Sequence, residues 1–128
     1  MIKPTESELE ILHVLWEAES ATVREVNDRL SQKREIGYTT TLKLMQIMFE
    51  KGLVRRDESG RTHFYSPAVP REATQSQLLQ NFVDNTFQGR AADLVLQALG
   101  NHRPDAGELD EIKALIAQIE QQQQQNKL

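Results

Sequence analysis

The chain has 128 residues, a net charge of −4 and no cysteine, so disulfides and thiolate metal sites are excluded. Its length allows one domain of ordinary size, or a small domain with an extension. No stretch approaches the ~20 apolar residues of a membrane span, and Met1–Pro4 lacks the apolar core of a signal peptide, so we expect a soluble cytoplasmic protein without membrane insertion.

Basic side chains are concentrated in one part of the chain. Ala21–Ser66 contains nine Lys or Arg and six Asp or Glu residues, a local charge of +3, which leaves −7 for the rest. Such a basic patch on an acidic body is typical of a protein that binds a polyanion specifically and has little non-specific attraction to it. The hydrophobic fraction of 38% is lean, so part of the core is expected to be shared between subunits.

Two helices are predicted first. Thr5 begins one, with Glu8 completing a capping box, and Thr22 begins the other, with Glu25 in the same position. Apolar residues at helical spacing predict their buried faces, which are Leu9, Ile11, Leu12, Val14, Leu15 and Trp16 in the first helix and Val23, Val26 and Leu30 in the second. We interpret Trp16 as a core anchor rather than a stacking platform.

The stretch Tyr38–Pro67 predicts a third helix followed by a hairpin. Thr39 is expected to cap this helix and Gly52 to end it. Strands Leu53–Asp57 and Arg61–Ser66 then flank a three-residue loop whose Gly60 suits a positive φ, and of the neighbours Phe64 and Tyr65 one should pack inward. The order helix, helix, turn, helix, hairpin predicts a winged helix-turn-helix over residues 1–70.

Spacing divides the third helix into two faces. Thr41, Leu44, Met45 and Met48 fall on a side that meets the core, and the DNA-binding candidates Thr39, Thr40, Lys43 and Gln46 fall largely on the other. Hydroxyls suit phosphate oxygens, and the longer side chains can reach base edges. The hairpin adds Arg55, Arg56 and Arg61 as a wing. The alternative is a solvated helix face and an edge strand protected by charge.

The second half, residues 71–128, predicts a helical dimerisation domain. Helices are expected at 72–85, 91–99 and 108–121, interrupted by Gly89 and by a break from Gly100 to Gly107, with 121–125 as a frayed, solvated, Gln-rich tail. None would be stable alone, and a two-fold dimer would bury their apolar stripes. The predicted dimerisation residues are Leu78, Phe82, Phe87, Leu94, Val95, Leu99, Leu109, Ile112, Leu115, Ile116 and Ile119.

Nothing in the sequence indicates catalysis or a cofactor. His13, His63 and His102 lie in separate elements, and no glycine-rich phosphate loop or activated nucleophile is present. The acidic group Asp105, Glu108, Asp110 and Glu111 is interpreted as a favourable first helical turn rather than a divalent-metal site.

Several motifs together resemble the penicillinase repressor family, the BlaI/MecI/CopY type of bacterial transcriptional repressors. The resemblance covers roughly residues 4–115. In chain order the motifs are TESELEILHVLW, TVREV, YTTT, EKGLVRR, GRTHFYSP, FQGRAADLVLQAL and GELDEIKALI. Each is weak alone, but their order and spacing are specific.

The resemblance implies a mainly α homodimer of two winged helix-turn-helix domains with an interwound helical C-terminal half. It implies double-stranded operator DNA as the partner, with repression of β-lactam-resistance-like or stress-response genes. Carried over by position, DNA contacts fall on Thr39, Thr40, Lys43, Arg55, Arg56 and Arg61. The family often has Thr at the position of Lys43 and an Arg-Leu pair at Ile47-Met48, so the operator is expected to differ.

The resemblance also implies release through a membrane sensor protease, with cleavage in a segment aligned to 94–99. The Asn-Phe pair associated with that cleavage is replaced here by Gln97-Ala98. Copper-thiolate sensing, used by other relatives, is excluded because the chain has no cysteine. The rival interpretation is a winged-helix protein-interaction module that docks an acidic protein partner.

Overall fold

The computed structural model describes residues 2–126. Within that range the chain divides into two compact units, between Leu79 and Gln80, and contains no helix that is long and apolar enough to cross a membrane. The elements are helices α1 Glu6–Ala18, α2 Val23–Leu30 and α3 Tyr38–Lys51, strands β1 Val54–Asp57 and β2 Phe64–Pro67, and helices α4 Arg71–Thr86, α5 Ala91–Asn101 and α6 Ala106–Gln125.

Both predicted capping boxes are confirmed. The Thr5 hydroxyl accepts from the Glu8 N–H at 3.2 Å, and the Glu8 carboxylate accepts from the Thr5 N–H at 2.9 Å. Thr22 and Glu25 repeat the arrangement at 3.1 and 3.0 Å. Each box satisfies N–H groups that a helix start leaves without partners, and therefore fixes where α1 and α2 begin.

The core of the first unit is formed by the predicted inner faces of α1, α2 and α3 together with the start of the wing. Its fully buried members include Ile11, Leu12 and Leu15, each contributing about 1.5–3 kcal/mol by removal from water. Trp16 packs against this cluster, and its indole Nε1 donates to the Val69 carbonyl at 3.0 Å. The interpretation of Trp16 as a core anchor is confirmed.

The wing is an antiparallel pair in which Arg56 lies opposite Tyr65. Ala21 adds a one-residue bridge, because its N–H and carbonyl pair with the backbone of Tyr65 at 2.9 and 2.8 Å. Tyr65 is buried and Phe64 is exposed, as the alternation predicted. The bridge ties the wing to the turn between α1 and α2 and was not predicted.

Two local predictions in this segment are wrong. Gly37, in extended backbone, is the N-cap of α3, so the helix begins before Thr39 and no side chain caps it. The wing loop spans 58–63, because Asp57 pairs with Phe64. The Asp57 carboxylate accepts from the N–H and hydroxyl of Ser59 at 2.9 and 2.7 Å, which closes a turn inside the loop, and Gly60 does not adopt a positive φ. Gly52 does end α3 in the left-handed conformation, with φ 82°.

In the second unit, the interruption at Gly89 is confirmed by its φ of 83° and by its N–H, which donates to the Val83 carbonyl at 3.0 Å. The break predicted from Gly100 to Gly107 is wrong at both ends. Helix α5 continues to Asn101, where the His102 N–H donates to the Ala98 carbonyl at 3.0 Å, and α6 already begins at Ala106. The Gln-rich tail is exposed as predicted, but it is not frayed. Asp105 caps α6 at 2.8 Å, and glutamine is a good helix former, so α6 continues to Gln125.

Candidate nucleic-acid interface

Helix α3 separates a buried face from an exposed one. Thr41, Met45 and Met48 are fully buried, and Leu44 is half-buried against the core. The predicted DNA-binding residues of this helix, Thr39, Thr40, Lys43 and Gln46, are all exposed. The structure therefore separates the two faces as the spacing predicted, and contact of the exposed face with DNA stays a prediction.

The N-terminus of α3 is open, unlike those of α1 and α2. Those two helices each close their first turn with a glutamate, whereas α3 has neither an acidic residue in its first turn nor a capping side chain. The first N–H groups of a helix have no partner within it, and they form the positive end of its dipole. This end, flanked by the exposed hydroxyls of Thr39 and Thr40, is suited to a phosphate.

Asn27 of α2 fixes the position of that open end. Its side-chain amide donates to the Ile36 carbonyl at 3.1 Å and to the Thr41 hydroxyl at 2.8 Å. One side chain thus joins α2, the turn and the first part of α3. Sequence reasoning missed this role, although a polar residue beside the inner positions Val26 and Leu30 was the available signal.

The far end of α3 is held by an ion pair with α1. The Lys51 ammonium lies 2.8 and 3.0 Å from the two carboxylate oxygens of Glu8, whose side chain is 2% exposed. Burial raises the pKa of Glu8, but hydrogen bonds from Lys51 and Thr5 lower it by more, so this pKa lies below its usual value. The buried carboxylate is therefore charged at neutral pH, and both ends of α3 are fixed to the body of the unit.

The three wing arginines differ in availability. The Arg56 guanidinium carbon lies 4.1 Å from the centre of the Phe49 ring, and the side chain is paired with Glu58. A hydrogen bond with Tyr65, together with the contact to Glu58, raises the pKa of Arg56 above its usual value. Arg55 and Arg61 are exposed, and within residues 2–126 neither forms an ion pair. They are the wing cations that are free for an external anion.

The same distinction applies to the whole basic region. Arg29 and Arg34 are paired with glutamates of α1, at 2.6 and 3.1 Å, as Lys51 and Arg56 are with theirs. Across the described part of the chain, the basic residues of 21–66 left without a carboxylate partner are Arg24, Lys33, Lys43, Arg55 and Arg61. Arg24, which sequence analysis did not select, is one of them.

The predicted dimerisation residues remain accessible in the single chain. In the parts of α5 and α6 that the structure describes, no residue is buried. The more exposed members of the predicted set range from 37% to 56%: Phe82, Val95, Leu109, Leu115, Ile116 and Ile119. The rings of Phe82 and Phe87 make an edge contact with their centres 5.8 Å apart. The burial of these residues in a dimer stays a prediction.

Comparison of the sequence with known proteins identifies its family. Residues 4–118 match the sequence profile of the family described as penicillinase repressor. The chain belongs to the penicillinase repressor family. It is 30% identical to the transcriptional regulator BlaI of Mycobacterium tuberculosis, over 86% of this chain and 80% of that protein. It is 20% identical to a penicillinase repressor of Staphylococcus aureus, over 88% and 90% of the two chains.

Solved structures share the fold of this penicillinase repressor family member, and the aligned residues include parts of both units. A MarR mutant from E. coli in complex with operator DNA is 18% identical, with a TM-score of 0.52 over 91% of this chain and 75% of that one. RosR of H. salinarum is 20% identical, with a TM-score of 0.50 over 90% and 92%. At these identities the likeness establishes the winged-helix fold alone.

Proposed function

We propose that the chain is a sequence-specific DNA-binding transcriptional repressor that acts as a homodimer on dyad operators. The observation that carries the proposal is the exposed face of α3, with its open N-terminus and with Lys43 free of any carboxylate partner in the described chain. Membership of the penicillinase repressor family and the DNA complex of a fold relative support it. DNA as the ligand also implies action in the cytoplasm.

In this mechanism α3 lies in the major groove and acts through binding energy alone. Its N-terminal N–H groups and the Thr39 and Thr40 hydroxyls contact a backbone phosphate, and Lys43 and Gln46 reach base edges. Arg55 and Arg61 of the wing contact the neighbouring backbone. Each lysine or arginine that neutralises a phosphate releases counterions, so affinity falls as the salt concentration rises. A repressor bound in this way excludes other proteins from the operator.

The apolar surface of the second unit supports the proposal of a dimer. Leu115, Ile116 and Ile119 expose about half of each side chain on one helix, which is unfavourable in water. A two-fold arrangement buries identical surfaces against each other. It also presents two copies of α3 to half-sites about one DNA turn apart, ~34 Å.

We further propose release of the operator by a protease-linked signal, in line with the family resemblance. The segment aligned to the family's cleavage region lies in α5, where Gln97 and Ala98 are exposed. Cleavage there would divide the dimerisation unit. Immunoblotting of cells challenged with a β-lactam tests this, because a shortened chain of about 97 residues should accumulate, and an intact chain under induced expression would refute it.

Footprinting on the DNA upstream of the chain's own gene tests the proposed function. A scrambled duplex of the same length and base composition serves as the control. We expect protection of a dyad, an affinity for the scrambled duplex lower by at least about a thousandfold, and steep weakening with salt. Equal binding to both duplexes, or no binding at low salt, would contradict repression and favour a module that docks an acidic protein.

A further inference from the structure

A groove of about 480 Å³ lies beside the open end of α3, on the side that faces the wing. Thr22 and Tyr38 line it together with the more buried Val23, Leu42 and Tyr65. Its rim carries Arg24 from α2 and Arg61, Thr62 and His63 from the wing loop. The rim residues are exposed and bring cationic and hydrogen-bonding groups from two separate elements to one opening. Of these residues, only Arg61 is among the DNA-binding candidates predicted from the sequence.

Backbone contacts join the two elements that flank the groove. The two hydrogen bonds between Ala21 and Tyr65, at 2.9 and 2.8 Å, join the turn before α2 to strand β2. Arg24 is the second residue of α2, and Arg61 and His63 lie in the loop that precedes β2. The start of α2 and the start of β2, which flank the groove, are therefore joined by backbone hydrogen bonds.

Arg24 is itself held at the rim. Its guanidinium carbon lies 5.4 Å from the centre of the Tyr38 ring, within the range of a cation–π contact. The neighbouring Glu25 does not neutralise it, because the Glu25 carboxylate accepts from the Thr22 N–H at 3.0 Å and lines a different groove. The groove thus has arginines on both sides and no acidic residue in its lining.

We propose that this groove seats a backbone phosphate of the DNA whose bases α3 contacts, with Arg24 and Arg61 on its two sides. The inference rests on the proposed function and adds a binding site to it. Two guanidinium groups across an open groove match the charge and the accessible oxygens of a phosphodiester. Tyr38, the first residue of α3, lines the groove and makes it continuous with the recognition face.

The salt dependence of DNA binding tests this assignment. Arg24→Ala should lower the slope of log K against log salt by about 0.9 per head, which corresponds to roughly eightfold weaker binding per head at 0.1 M salt. The loss should be equal on operator and scrambled duplex, because a phosphate carries no sequence. Arg29→Ala is the matched control: it removes the same charge from the same helix, but Arg29 is paired with Glu17 at 2.6 Å, so the slope should not change.

Three results would overturn the assignment. These are an unchanged slope in Arg24→Ala, a loss confined to the operator, and an equal loss of slope in Arg29→Ala. Arg24→Lys should retain the slope, which separates loss of charge from loss of folding. If the wild-type chain protects a dyad while Arg24→Ala keeps its slope, only the groove assignment fails. If the wild-type chain binds no DNA, the proposed function itself fails.

A competition experiment separates the DNA backbone from a free anion as the source of the phosphate. Replacing chloride by inorganic phosphate at constant ionic strength should affect the wild-type chain and Arg24→Ala equally. Stronger displacement of the wild-type chain than of the variant would show that the groove takes free phosphate instead, and would refute the assignment to the DNA backbone.

Discussion

Replacing Lys51 by methionine removes the partner of a buried charge and keeps most of the side-chain volume. Glu8 would stay in its place with 1% of its surface exposed, and with the Thr5 N–H as the donor in contact with its carboxylate. Breaking a fully buried pair costs about 3–5 kcal/mol. Because the Lys51 side chain is 32% exposed, we expect a loss nearer to 2–3 kcal/mol in the free energy of unfolding at pH 7.

The loss should depend on pH in a defined direction. In the wild-type chain the pKa of Glu8 is below its usual value of 4.5, so its ionised form stabilises the fold above that pH, and this stabilisation is lost as the pH falls through the folded-state pKa. In Lys51→Met, burial acts without the compensating cation and raises the pKa of Glu8. Protonation of Glu8 then removes the unpaired buried charge from the variant. The difference in the free energy of unfolding between variant and wild type should therefore shrink as the pH falls from 7 to 4.

Urea unfolding at a fixed protein concentration measures the effect, with fluorescence of Trp16, the single tryptophan, as the probe. Glu10 and Arg34 provide the control pair, since they are 3.1 Å apart with side chains 39% and 44% exposed. Arg34→Met should cost about 0–1 kcal/mol. An equal cost for the two variants, or a difference from wild type that is constant between pH 7 and pH 4, would refute the reasoning.

Three further variants test the surfaces. Lys43→Ala should weaken operator binding about tenfold in fluorescence anisotropy and leave the molar mass from light scattering unchanged; a fall in molar mass would contradict the separation of the two functions. Asn27→Ala should lower the free energy of unfolding by about 1–2 kcal/mol, because the Ile36 carbonyl and Thr41 hydroxyl lose their donor; unchanged urea unfolding would contradict that role. Ile116→Glu should convert a dimer to a monomer in light scattering, whereas Gln118→Glu, with the same charge change on the same helix, should not.

The elements that were predictable from the sequence are those set by local rules. Thr5 and Thr22 each precede a glutamate by three residues, and that spacing alone specifies the first turns of α1 and α2. Gly52 likewise specifies the end of α3, because it supplies a positive φ. In these cases the partner lies within four residues along the chain, so the sequence contains the whole interaction.

The features that were missed depend on partners far apart in sequence. The bridge of Ala21 to Tyr65 joins residues 44 positions apart, and the pair of Glu8 with Lys51 joins residues 43 apart. Neither has a local signature, since an alanine in a turn and a glutamate in a first turn are both explained without a partner. The wing loop was misjudged for the opposite reason. The Asp57 side chain closes a local turn with Ser59, so the second strand begins at Phe64 and not at Arg61.

Charge counted along the sequence also differs from charge available to a ligand. The +3 of Ala21–Ser66 treats all basic residues alike, but Arg29, Arg34, Lys51 and Arg56 are each neutralised by a glutamate within the fold. Lys33 lines a groove formed by α1, α2 and the residues after α2, with Glu10 and Glu17 nearby.

Of the five cations without a carboxylate partner, the four that lie outside this groove therefore carry the electrostatic part of the proposed DNA contact: Arg24, Lys43, Arg55 and Arg61. At about 0.9 per neutralised phosphate, four of them limit the salt slope to roughly 3.6 per head. The pair of Glu8 with Lys51 joins α1 to α3, so the same glutamate that reduces the total positive charge also helps to position the helix that carries Lys43. An acidic chain can therefore bind a polyanionic ligand. Its net charge makes the long-range attraction to DNA weak, and the proposed contact depends on a few cations that have no carboxylate partner.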